Sequence, residues 1–274
     1  MGYPSIDAPY GYKPVNLLGG QVFSGSTREY PIAYNYGTSI FYGDPVVITA
    51  GFAAIATAPI NTTNTTVGVF LGCSYTNPAT KQKLFSQYYP ANTLAGDIKA
   101  VICDDPDTVF KMAVVTAAGV QTIGSMSQLM VGVNAAGSTT TGSTATGNSS
   151  LGVVGNTATV ANAGFRILSL VPDTQTSTPC TYSSGTGTTS LVVSGLSLGQ
   201  VLPIGTDVWQ LVAATGQLQF TGSSLTAAAT VSSTTAQTLT VTASTATVAG
   251  SLALIQSPEV LAKINFNVHR YNIA

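Results

Sequence analysis

Apolar and polar residues alternate at period two along much of this chain. Val67, Val69, Leu71 and Cys73 alternate with Gly68, Phe70, Gly72 and Ser74. Phe110, Met112 and Val114 form one face of the run 109–115, and runs 165–171 and 207–212 follow, the latter carrying the single tryptophan, Trp209. Near the C-terminal end Ile264, Phe266 and Val268 are apolar, while Lys263, Asn265, Asn267 and His269 face the other way. That spacing predicts a half-buried strand with one polar face. Helix signals are confined to 81–85 and 258–263, too short for major elements. Short strands separated by Gly, Pro, Asn and Ser clusters predict an all-β fold, either a β-barrel or a sandwich.

Composition divides the chain into zones. Residues 1–133 hold ten of the twelve tyrosines. Residues 134–150 are low-complexity and read as a long surface loop or linker. From 176 to 256, 30 of 81 residues are Ser or Thr, with strand-like runs at 189–193, 208–212, 218–220 and 238–241. Thr and Val together favour strands, and about 80 residues suit a small sandwich of immunoglobulin type. Charge and larger apolar residues return after 256. The expected organisation is therefore a body made of 1–175 and 257–274, with 176–256 inserted as a protruding module. Two sequential domains with a short C-terminal tail are the competing arrangement.

Charge is scarce. Only 7% of residues are Asp, Glu, Lys or Arg, against about 25% in an ordinary domain. Between Thr174 and Pro258 the one charged side chain is Asp207. Nine basic and ten acidic residues give a formal net charge of -1 with no like-charge block, which excludes an electrostatic grip on nucleic acid or anionic lipid. No run of about 20 apolar residues predicts a membrane span, and residues 1–14 lack the pattern of a signal peptide. A surface so poor in charge suits packing against other protein copies.

The groups available for chemistry are few. Cys73, Cys103 and Cys180 are widely spaced, without a CxxC pair, and read as buried small hydrophobes. His269 is the single histidine, and no G-x-S-x-G elbow accompanies it. It reads as a surface or interface residue beside Arg270. Asp104, Asp105 and Asp107 are the one close carboxylate cluster. Oxygen-rich clusters can seed a calcium site, but an Asp-Asp-Pro-Asp sequence more readily makes a turn. No enzyme activity, cofactor or catalytic residue is predicted.

The first twenty residues combine Tyr3, Pro4, Pro9, Tyr10, Tyr12 and Pro14 without helical or strand period. Proline favours extended chain and tyrosine offers large contact area. The segment reads either as an arm onto a neighbouring subunit or as a strap around its own body. Tyr30, Tyr34, Tyr36, Tyr42, Tyr88 and Tyr89 extend the aromatic theme, and aromatics are enriched at interface cores.

GYKPVNLLGGQVFSGSTREYPIAYNY at 11–36, YGDPVV at 42–47, VGVFLGCSYTNP at 67–78, KAVICDDPDTVFKM at 99–112 and VLAKINFNVHRYN at 260–272 resemble marine tailed-phage capsid decoration or cement proteins. The resemblance covers the body and leaves the Ser/Thr-rich insert without a counterpart. It implies a β-rich virion protein, often trimeric, that binds the major capsid protein on the outer capsid surface and can carry immunoglobulin-like projections. Tyr3, Pro4, Tyr10, Tyr12, Tyr34, Tyr36, His269 and Arg270 are the residues then expected at capsid or subunit interfaces. A fibre or receptor-binding adhesin for host glycans is the main alternative. A major shell subunit ranks below it, since long helices and substantial charge are missing.

Overall fold

The computed structural model describes residues 6–56, 59–61, 64–155, 163–184, 189–242 and 250–270. The fold is all-β: 20 strands and two three-residue 3-10 helices lie among these residues. The strands form open, mostly antiparallel sheets, so the architecture is a sandwich and the barrel alternative is not realised.

Two six-stranded sheets build the body. The first runs Lys13–Leu17, Thr108–Val115, Glu259–Ile264, Phe165–Leu170 and Asn134–Ala135, with Val153–Val154 parallel to Thr108–Val115. The second runs Arg28–Pro31, Lys99–Cys103, Gly68–Thr76, Pro45–Thr49 and Phe52–Ile55, with Lys83–Ser86 also on Gly68–Thr76. Alternation sends Val69 into a core shared with Phe110, Met112, Phe165 and Val260 of the first sheet. It sends Phe70 the other way, into a core with Ile40, Tyr89 and Ile102. The second sheet is thus covered on both faces, which explains its dense apolar run.

Period two breaks at one place. Simple alternation groups Cys73 with Val69, yet Cys73 packs with Phe70. Pairing with Lys99–Cys103 shifts register between Phe70 and Gly72, and Gly72 sits at φ 145°. A bulge inserts one residue and reverses the facing of everything after it. Only glycine takes that backbone readily.

Both short helix signals lie on strands. Lys83–Ser86 and Glu259–Ile264 pair with Gly68–Thr76 and with both Thr108–Val115 and Phe165–Leu170. Tertiary pairing overrides weak local propensity there. The strand expected over 263–269 ends at Ile264, and 265–268 form a turn that buries Val268 while exposing Phe266. The segment 134–150 is no free linker. Ala135, Ser138 and Ser149 are buried, and the Ser143 and Gly147 N–H groups donate to Asn148 and Ser143 carbonyls within it.

The strands described within 176–256 pair with one another. Gln217–Ser224, Asp207–Val212, Ser251–Gln256, Thr176–Ser184, Ser190–Ser194 and Gln237–Thr240 form one sheet, and Val201–Leu202 pairs with Ala229–Thr230. They enclose a separate core that includes Leu191, Val208, Leu239 and Leu254. Thr176 is registered opposite Gln256, so the segment leaves and rejoins the body at neighbouring points.

Buried hydrogen bonds tie this segment to the body. Asp207 accepts from the Ser127 hydroxyl and, at 2.8 Å, from the Gln128 N–H. The Ser125 hydroxyl donates to the Gly205 carbonyl at 3.2 Å and accepts from the Ser257 N–H at 2.9 Å. The lone charge of the Ser/Thr-rich segment is therefore spent inside the joint.

Candidate interaction surface

Most residues expected at an interface satisfy themselves inside the chain. Tyr3 and Pro4 lie outside the described residues. The Tyr10 hydroxyl donates to Glu259, whose other carboxylate oxygen pairs with Lys111 at 2.8 Å, and Lys13 stands 4.3 Å over the Tyr10 ring. Burial and the Glu259 charge raise the Tyr10 hydroxyl above its ordinary range. Tyr12 is buried, its ring centroid 4.6 Å from that of Phe165. Residues 10–12 thus pack as a strap on their own body, with Tyr10 half-buried and Tyr12 too deeply buried to meet a partner.

His269 is likewise internal. It is 1% exposed, bridges to Thr66, and donates its N–H to the Asn265 carbonyl. Burial lowers its imidazole below the ordinary histidine range, against the opposing pull of Asp104. Its outward placement by strand period fails because the strand ends five residues earlier. Arg270 is exposed but engaged: its N–H donates to Thr66 and its guanidinium to the Ile48 carbonyl at 2.7 Å. Together they clip the C-terminal turn to Pro45–Thr49.

The three aspartates separate. Asp104 is buried, accepts from Tyr30 at 2.9 Å and meets Arg28 at 3.4 Å. Asp105 accepts from the Asp107 N–H at 2.9 Å and its carbonyl from Thr108, which closes a turn. Asp107 reaches Lys263 at 3.6 Å. Among the described residues no group of three His, Cys, Asp or Glu is placed to hold a metal.

All three thiols are buried and unbridged. Desolvation pushes Cys73 up to about 12, Cys180 up to about 11, and Cys103 upward. Thiolate is the reactive form, so the native chain is expected to resist Ellman's reagent and to release three thiols on denaturation. Rapid labelling of the native chain contradicts this packing.

One expected anchor does reach solvent. Tyr34 is 64% exposed, in the turn after Arg28–Pro31. Phe52 and Leu94 are exposed as well, 43% and 54%. Ile32 bridges to Ala53, and the Asn35 N–H donates to the Thr93 carbonyl at 3.3 Å. Tyr36 sits beneath: its hydroxyl accepts from the Ile55 N–H at 3.2 Å, and its carbonyl accepts from Tyr89. Tyr36 is thus half-buried and braced within its own chain. Phe85, on the edge strand Lys83–Ser86, is another large exposed aromatic, beside a groove lined by Tyr42, Leu71 and Val101.

The sequence offers no sign that Phe52 and Leu94 reach solvent. Phe52 opens a strand right after the Ala50–Gly51 turn, and Leu94 belongs to no periodic run. Exposed apolar side chains of this kind can bury area against another protein surface. No protein-family model matches the chain, and no curated protein matches it.

Proposed function

We propose that this chain is a structural virion protein that binds the outer surface of an icosahedral capsid and stabilises it, as a decoration or cement protein. Its partner is the major capsid protein, and it acts as a homotrimer. The observation that carries this reading is the exposure of Tyr34, Phe52 and Leu94 on a body with almost no net charge. Low net charge favours association over repulsion, and exposed aromatic side chains supply anchors. A protein that binds only the assembled shell stabilises it by mass action, and several modest contacts add as avidity.

Binding to purified capsid shells tests this. Changing Tyr34 and Leu94 together to Asp is expected to weaken binding at least ~100-fold, as loss of two anchors implies. Replacing 176–256 by a short Gly-Ser link leaves binding within about threefold, because Thr176 and Gln256 are neighbours. Unchanged binding by the double variant, with its melting temperature preserved, overturns the assignment of these anchors.

A second reading has its own support. The Ser/Thr-rich segment has a core of its own and joins the body through two adjacent strands. That suits a fibre or receptor-binding adhesin for host glycans. Loss of attachment to host cells on removal of 176–256, with capsid binding absent in the full chain, favours it.

A further inference from the structure

A cavity of about 350 Å³ opens in the body where the turn 41–44 meets the segment 138–142. Ligand sites begin near this size, at about 300 Å³. Thr139 and Thr141 are exposed at its mouth. Phe41, Ile55, Ile60 and Leu151 provide apolar walls.

Asp44 also lines the cavity and is only 2% exposed. Its carboxylate accepts from the Phe41 N–H at 2.8 Å and from the Ser149 hydroxyl. None of the ion pairs among the described residues includes it. Burial pushes its carboxyl up to about 6, so it is mostly ionised at neutral pH. It is a buried negative charge without a cation, beside an apolar space.

The wall opposite is fixed. A Cβ on Gly142 comes within 2.5 Å of the Phe41 ring, so backbone and ring already touch there. The Thr139 hydroxyl donates to the Ala118 carbonyl at 3.1 Å and that of Thr140 to the Ser150 carbonyl, while Ser138 accepts from the Gly152 N–H. The Thr139 and Thr140 hydroxyls are thus already committed as donors. The strongest unused interaction is the charge of Asp44.

We propose that this cavity binds a small organic ammonium ion, its N–H groups on the Asp44 carboxylate and its apolar body between Phe41, Ile55, Ile60 and Leu151. Charge-assisted hydrogen bonds are the strong ones. Desolvation usually cancels the gain from a buried ion pair. Here the carboxylate is desolvated by folding itself, so only the ligand's water remains to be removed. Tyr12 is the titratable group facing Asp44, and burial together with the Asp44 charge keeps it neutral throughout the working pH range. Binding therefore follows Asp44 alone and tightens as pH rises from 5 to 7.

Calorimetric titration of the full chain with cyclohexylamine, and with cyclohexanol as its neutral counterpart, tests the site. The amine is expected to bind at least ~10-fold more tightly than the alcohol, about 1.4 kcal/mol of charge recognition. Asp44→Asn is expected to erase that preference. Since Asp44 also closes its own turn, Ala56→Phe is the second variant. It fills the space from a partly exposed position and is expected to abolish amine binding without lowering the melting temperature. Equal affinity for both probes, no amine binding up to about 10 mM, or full binding in Ala56→Phe overturns the proposal.

Discussion

Gly68→Ala is expected to keep the chain from reaching its native fold. A Cβ at this position lies 2.1 Å from the Cys103 carbonyl oxygen, 2.8 Å from its carbon and 2.9 Å from the Asp104 Cα. Every one of these atoms is backbone, so no side chain can swing away. The strand cannot retreat either. Gly68 is registered opposite Val46 and Val69 opposite Cys103, so movement away from one partner breaks pairing with the other. Both faces of the strand are packed, Val69 on one side and Phe70 on the other. The cost is expected above ~4 kcal/mol, in the extreme tail of single substitutions. For a chain of this size that lowers the melting temperature by about 10 °C or more, if the variant folds at all. Gly96→Ala is the control, since a Cβ there meets nothing within 4 Å. A Gly68→Ala protein that melts within about 3 °C of wild type contradicts the packing described.

Asp207→Ala is expected to uncouple the Ser/Thr-rich segment from the body. The substitution strips a buried acceptor from the Gln128 N–H and from the Ser127 hydroxyl. Loss of the buried hydrogen bond to Ser127 costs about 1–3 kcal/mol, and loss of the half-buried one to Gln128 adds to it. Thermal unfolding is expected to split, with the core around Leu191 and Leu254 melting ahead of the body core around Phe110 and Phe165. One unshifted transition contradicts the role of the joint.

The same carboxylate predicts a pH dependence. Burial pushes Asp207 up from 3.8 to about 6, against the Ser127 and Gln128 hydrogen bonds. The folded state then holds this proton more tightly than the unfolded chain. Its contribution to stability is full below about pH 4, falls as pH rises to about 6, and is constant above. The span is about 3 kcal/mol at 1.36 kcal/mol per pKa unit. Asp207→Asn removes it, so the stability difference between wild type and variant should shift in favour of wild type on acidification from pH 7 to 4. The opposite contribution of His269 is common to both proteins and cancels. A difference that stays flat with pH contradicts the burial of Asp207 at the joint.

Strand-forming segments were legible where the period is local. The runs 109–115 and 207–212 show their facing in four or five residues, and the structure has Thr108–Val115 and Asp207–Val212 there. The segment 258–263 carried a short helix signal, yet Glu259–Ile264 is a strand. Only its two strand partners decide the matter. The bulge at Gly72 hid the true facing of Cys73, since one extra residue inverts a period-two pattern. The tract 134–150 resembled a linker because Gly and Ser are permissive residues, but the same smallness lets Gly142 press against Phe41.

The site was less legible than the fold. A tyrosine shows its size and hydroxyl in the sequence but not its partner. Tyr10 finds Glu259 across 249 positions, and Tyr12 finds Phe165. These pairings turn expected anchors into internal braces and leave Tyr34 as the exposed one. Asp44 carried no signal, because a lone Asp after Gly reads as a turn residue. Its lack of a cation becomes visible only when every neighbour has a place.

The assignment to a virion surface is tested most directly by counting. Quantitative mass spectrometry of purified virus particles gives the copies of this chain per major shell subunit. A decorating or cementing protein requires a number comparable to that subunit. A few copies per particle contradict it, and then residues 176–256 become the part to examine for host attachment.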